Sequence, residues 1–362
     1  MAISYHYYFN FVAHREEYIP IYHPTKRILN PLEELPYWIP APIPIYTPAP
    51  VYNYVQMNDL VSVHAECLNS SNPEIPTMIN MLKNAVVFKT GKIITANFYY
   101  LSFVEDKDID TRNFEVIDQA VPFFHDYLTC YYHFLIEQFP LVLCFGQEIL
   151  RNSVLLHNRF MKKQFNDLLS ILNLSFKRSL IVGTPVLVKR LYISNPHPFI
   201  EFNANALRHL RYLLITKCNA TNLKATQYVY YNRKKNRLIL NFAEMQKELE
   251  KELPNITFIQ PTFESMSAQI IFWRKTKFVM MIHGSTFSNY LFMHPNTAYL
   301  EFCIKACRSA AYKMCKALGV RVYEIMFQNH CLNRSMWADI PVLIPAVKKI
   351  LKDLEKENLD LF

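Results

Sequence analysis

His133 and Glu137 stand four apart in CYYHFLIEQFP, and both are residue types that can take a proton from an alcohol. On a helix that spacing puts imidazole and carboxylate on one face. A carboxylate on so apolar a segment is costly unless it is hydrogen-bonded or faces a cleft. Burial would raise its pKa towards the range a general base needs, which makes Glu137 the base and His133 its orienting partner. A pair that only braces the helix is the alternative. A second group is cationic. Arg233 and Arg237 lie in the one dense basic knot, RKKNR, directly after the strand-like run YVYY. Their forked donors suit a diphosphate, while a solvated loop is the plainer reading.

A third group follows a buried strand. In FVMMIHGSTFSN, residues 278–289, five apolar residues run into His283 and Gly284 in a chain with only 5 glycines. A glycine there makes a tight turn, or lets the backbone approach a phosphate. A helix starting at that point would offer unpaired amides near Ser285 to Ser288. His283 and Asn289 bracket the turn, to touch phosphate or base or, for His283, to hold the turn itself. No GxGxxG or GxxxxGK[ST] is present, so the dinucleotide and P-loop readings lack their motifs. A rival is SFVEDKDID, where Asp106, Asp108 and Asp110 form two D-x-D triplets. Metal-dependent transferases of GT-A type hold Mn²⁺ and a diphosphate this way. Lys107 and Arg112 beside them fit a charged surface turn as well.

Positioning such groups takes a sizeable core. A chain of 362 residues exceeds one ordinary core, so two domains are expected. Half the residues are apolar and 14% aromatic, which excludes an unfolded polar chain. The net charge of +9 suits anionic partners. Its scatter favours a solvated basic surface over nucleic-acid binding. The 8 cysteines include no CxxC pair, and Cys303 with Cys307 alone make a poor zinc site, so no metal is expected. Sequons at Asn69, Asn173, Asn219, Asn255 and Asn333 point mildly to a secretory lumen. The N-terminal MAISYHYYFNFVAHREE has no unbroken apolar run, so no signal peptide or anchor is visible. Glu137 and Pro140 interrupt the most membrane-like stretch, 127–146, which fits a core helix better.

Nine prolines over residues 20–50 make residues 1–80 an extended arm. Residues 81–217 then read as a first α/β domain, with paired strands in NAVVFKTGKIITANFYYLSFV, a helix at 127–139 and another at 203–217. The polar link CNATNLKAT leads to a second domain, 226–362. There the strands YVYYN, ITFIQP, FVMMI, AYLEF and VRVYEI alternate with helices, one of them capped by Asn241. That alternation specifies parallel βαβ units. The expected architecture is two facing α/β domains with a cleft between them, ligands binding beyond the carboxyl ends of the strands.

Four blocks carry a resemblance. HGSTFSNYLFMHPNTAYLEF resembles the segment HGAGLTNLLFMPPGSxVIE of glycosyltransferase family 61. ESMSAQIIFWRKTKFVMM resembles its SFxEQxxLFxxAxVVVG, YVYYNRKKNRLILN its YxSRxxxxxRxILN, and CYYHFLIEQFP its NYYHWLxExLP. The blocks follow in order over residues 125–302. The family holds plant β-1,2-xylosyltransferases, xylan arabinosyltransferases, and EGF-domain and dystroglycan O-GlcNAc transferases of the secretory pathway. The resemblance implies a GT-B fold and an inverting transfer from a UDP sugar to a glycan or glycoprotein acceptor, without metal, in the Golgi or endoplasmic reticulum lumen. It places Arg233, Arg237, His283, Gly284, Ser285, Ser288 and Asn289 at the nucleotide sugar and Glu301 at a ribose hydroxyl. Ser285 and Thr286 stand where the family has Ala-Gly, Asn232 where it has Ser, and Leu141 where an Arg often follows the proline. These departures leave a nonenzymatic binding module on the same fold as a rival.

Overall fold

The computed structural model describes residues 78–359, apart from 90, 92, 95–98, 101–113, 126, 144, 196–203, 234–236, 304–313, 316, 327–330, 333 and 334. The proline-rich segment up to residue 77 and the D-x-D run at 106–110 lie outside the described residues. Two compact units divide the chain between Ala206 and Leu207. Both are α/β, each built on a sheet rich in parallel pairs.

The first unit has a seven-stranded sheet: β1 (Met78–Val87), β2 (Ile93–Ile94), β3 (Tyr99–Tyr100), β4 (Glu115–Phe123), β5 (Val154–His157), β6 (Arg178–Ile181) and β7 (Val186–Asn195), in the order β3-β2-β1-β7-β4-β5-β6. β1 joins β7 antiparallel, whereas β7, β4, β5 and β6 run parallel. Val186 and Val188 of β7 bury with Ile117 of β4, which pairs with Val188, at alternate positions that a pleated strand turns to one face. The chain leaves β4 for β5 on one side and returns as β7 on the other. Such a reversal opens a crevice at the carboxyl end of β4.

Between β4 and β5 runs the segment expected as a helix over 127–139. It is a turn at 127–130 followed by a π-helical stretch, His133–Gln138, continuous with α1 (Phe139–Leu143). The amide of Phe139 bonds five residues back, to Phe134 O. Pro140 supplies a physical reason: it has no N–H to give and its ring presses on the carbonyl four residues earlier, so the preceding turn widens. Helices α2 (Gly146–Asn152) and α3 (Lys162–Leu172) complete the described part of the unit.

The second unit carries most of α4 (Ala204–Lys217), whose first residues belong to the first, then β8 (Gln227–Tyr231), α5 (Phe242–Glu252), β9 (Phe258–Ile259), α6 (Met266–Arg274), β10 (Thr276–Ile282), β11 (Ala298–Cys303), β12 (Arg321–Met326) and α7 (Ile340–Leu359). Its five strands are all parallel in the order β12-β11-β10-β8-β9, the 2-1-3-4-5 arrangement of a doubly wound sheet. Phe278, Met280 and Ile282 face a core made with Leu300, Phe302, Met245, Leu249, Val347 and Ile350. The intervening Val279 and Met281 are equally buried, which is why this strand is apolar without alternation. The C-terminal helix α7 belongs to this core, and Lys348 Nζ reaches Glu252 at 2.7 Å.

One local expectation is corrected. Asn241 does not cap α5 with its side chain. It pairs with the backbone of Ala338, donating to the carbonyl at 2.9 Å and accepting the amide at 2.8 Å. A short ribbon, β13 (Cys331–Leu332) with β14 (Ser335–Met336), was not foreseen. It stitches the loop after β8, since Ser335 Oγ accepts Leu238 N and Met336 N donates to Leu238 O.

Candidate active site

β8 and β10 are neighbours at the switch point of the second sheet, where the next strands depart in opposite directions. Beyond Tyr231, Asn232 closes a loop on itself. Its Nδ2 donates to Ile239 O at 3.1 Å and its Oδ1 accepts Ile239 N at 2.9 Å. Arg233 and Arg237 project from this closed loop. Arg237 takes a left-handed conformation, φ 54°, and donates from Nη1 to His283 O at 3.1 Å. A non-glycine residue held there costs free energy that the surrounding contacts must offset.

Gly284 follows β10 with φ 164°, extended backbone that any residue adopts. Its requirement is room. A Cβ built there would collide with Arg233 Nη1, lie 3.3 Å from Arg233 Cζ and 3.6 Å from Arg237 Nη1. The missing side chain thus lets two guanidinium groups lie against the carboxyl end of a central strand. That concentration of fixed positive charge and forked donors fits a diphosphate.

The expected helix after Gly284 is a 3₁₀ helix, Ser285–Phe292. Ser288 and Asn289 are not open to a ligand. Both are buried, with Ser288 Oγ donating to Ser285 O at 2.7 Å and Asn289 Nδ2 to Thr286 O at 2.8 Å. They brace the turn, while the half-buried Ser285 stays at its mouth. Of the amides expected to be unpaired, that of Phe287 is bonded to Gly284 O. Glu301 is corrected too. Its side chain is 0% exposed and its Oε1 lies 2.5 Å from His283 Nδ1, so it orients that imidazole and presents nothing to a ribose. His283 itself is 35% exposed.

The first unit repeats this arrangement. His133, 27% exposed, has its Nδ1 2.6 Å from Oε2 of Glu137, which is 3% exposed. Nδ1–H donates to the carboxylate, and Nε2 keeps its lone pair. Burial is the largest influence on Glu137 and pushes its carboxyl up. The contacts from His125 and His133 together outweigh it, and the carboxyl is held below its ordinary value. The raised pKa expected of a base is therefore absent. Tyr132 next to it is pushed well up, by burial first and then by the Glu137 charge, so its hydroxyl stays protonated.

His125, which the sequence reading missed, follows β4 directly and lies 3.3 Å from the same Glu137 oxygen, with its ring stacked on His133 at 4.7 Å and 24°. No spacing rule links residues 125 and 137, because the strand-to-helix turn joins them. Among the described residues, His125, His133 and Glu137 form a cluster whose ligand atoms lie within 4.8 Å of one another, as a metal would need. The tautomer opposes that use. Tyr127 N donates to His125 Nδ1 at 3.0 Å, so that nitrogen is unprotonated and the ring proton sits on Nε2, the atom turned to the cluster. A protonated nitrogen cannot ligate. The cluster is a carboxylate hydrogen-bonded to His133 and facing His125 Nε2 at 3.3 Å.

Among curated proteins, none matches this chain. A family model does, over residues 131–300, spanning His133, Glu137, both arginines and the Gly284 turn. That family is glycosyltransferase 61, and the chain carries a glycosyltransferase domain of this family.

Proposed function

We propose that the chain is an inverting glycosyltransferase of GT-B architecture, transferring a sugar from a UDP donor to a hydroxyl of a glycan or glycoprotein. The observation that supports this best is the approach of Arg233 and Arg237 to Gly284 at the switch point of the parallel sheet. In the transfer, the acceptor oxygen bonds to the anomeric carbon as the bond from that carbon to the diphosphate breaks. The electron pair leaves on the diphosphate, where the two guanidinium groups and His283 meet the growing charge. No metal is needed for that task. The acceptor proton goes to His133 Nε2, and Glu137, kept ionised, stabilises the imidazolium. This exchanges the two roles assigned from sequence: His133 is the base and Glu137 positions it.

Calorimetry with UDP in the presence of EDTA tests the donor site, and binding is expected to persist. Affinity that appears only with Mn²⁺ would move the reading to Asp106 and Asp108. His133→Ala should lower turnover by roughly 10²–10⁴-fold with UDP affinity unchanged. Turnover that survives His133→Ala but not Glu137→Gln returns the base to Glu137.

A secretory lumen is the compartment we assign. Among the described residues, the sequon asparagines Asn173, Asn219 and Asn255 are all exposed, as glycan attachment requires. No described helix is long and apolar enough to cross a membrane. Protein from secretory cells should shift in mass on glycosidase treatment, and an unmodified chain would count against this compartment.

A further inference from the structure

His125 is 1% exposed and anchored from three directions. It follows β4, and its carbonyl accepts Asn158 Nδ2 at 3.0 Å from the loop after β5. The Tyr127 amide fixes its Nδ1 as an acceptor, and its ring lies flat against that of His133. A buried polar ring held this firmly is costly unless its remaining N–H has a partner. Glu137 Oε2, at 3.3 Å, is the acceptor it faces. We propose that His125 is a positioning residue for the glycosyl transfer: its Nε2–H holds Glu137 from the strand side, so that Glu137 can hold His133 with Nε2 turned to the acceptor hydroxyl. This rests on His133 as the base, the reading given above.

The test compares His125→Phe, which keeps an aromatic ring for stacking and loses the N–H, with His125→Gln, which keeps a donor. His125→Phe should lower kcat about tenfold or more, with KM for the UDP sugar unchanged. His125→Gln should restore most of the lost rate. If His125→Phe leaves kcat where it was while His133→Ala is inactive, the inference fails and the base assignment stands. If His133→Ala is active, the base assignment fails first. Should His125→Phe not fold by circular dichroism, nitrogen NMR of histidine-labelled wild-type protein decides. A protonated Nε2 and bare Nδ1 on His125 are expected. The opposite tautomer, or stoichiometric Zn²⁺ binding that requires His125, overturns the proposal.

Discussion

At Gly284 a single absent carbon decides how closely two cations lie against the backbone. Gly284→Ala should push Arg233 aside and weaken UDP binding by about tenfold or more, an amount equal to about 1.4 kcal/mol. Arg233→Ala should cost about 2.7–4 kcal/mol in turnover, by analogy with deleting one fixed donor to a developing charge. The two act through one contact, so the double variant should be little worse than Arg233→Ala alone. Additive losses in calorimetry would show that the glycine serves something else. From the sequence the glycine was a marked position without a reason: a tight turn and a phosphate approach were both open. The φ of 164° removes the first, and the guanidinium contact supplies the reason. The His133–Glu137 pair was legible from its spacing. Which member carries the free lone pair was not, because that depends on His125 and on the depth of Glu137.

At the scale of elements, Asn232 makes the loop that carries the arginines into a fixed object. Asn232→Ala removes both of its bonds to Ile239 and should raise the Kd for UDP several-fold, with a modest fall in Tm. A large Tm loss with unchanged Kd would mark Asn232 as a purely structural clamp. A second element-scale prediction concerns His294, at the end of the 3₁₀ helix, whose Nε2 lies 2.5 Å from Leu223 O. Burial first, then the charge of Arg274, lowers its pKa from 6.5 to about 4. The folded state thus keeps the ring neutral where the unfolded chain protonates it. The stability it contributes is full above pH 6.5 and declines as pH falls towards 4. Urea midpoints should drop over that interval, and less so for His294→Gln; equal slopes would refute the linkage. The strand and helix alternation of the second half was readable because buried parallel strands are short apolar runs. The π-helical stretch and the β13–β14 ribbon were not: one depends on how Pro140 is accommodated, the other on two-residue strands below any periodic signal.

Across the whole molecule, the two units have separate sheets and, in our reading, separate tasks. UDP should stabilise the second. At a concentration 100 times Kd the gain is about 2.7 kcal/mol. Hydrogen exchange should register it as protection over residues 227–302, above all in the loop after β8 and the turn after β10. Protection confined to residues 115–157 would place the nucleotide on the other unit.

The middle strand of the second sheet has a life before the fold as well. Phe278 to Ile282 are at most 1% exposed in the native unit, hold no charge and no proline, and lack their backbone partners until β8 and β11 are in place. Parallel pairing must wait for the intervening helices to close, which makes it slow. During synthesis, FVMMI is therefore an adhesive segment, with Lys275 and Lys277 as the charges placed to keep it apart from its copies. Replacing those lysines with alanine should lower soluble yield far more than it lowers Tm. The strand that leads into the Gly284 turn thus needs protection during synthesis, before its neighbours are in place.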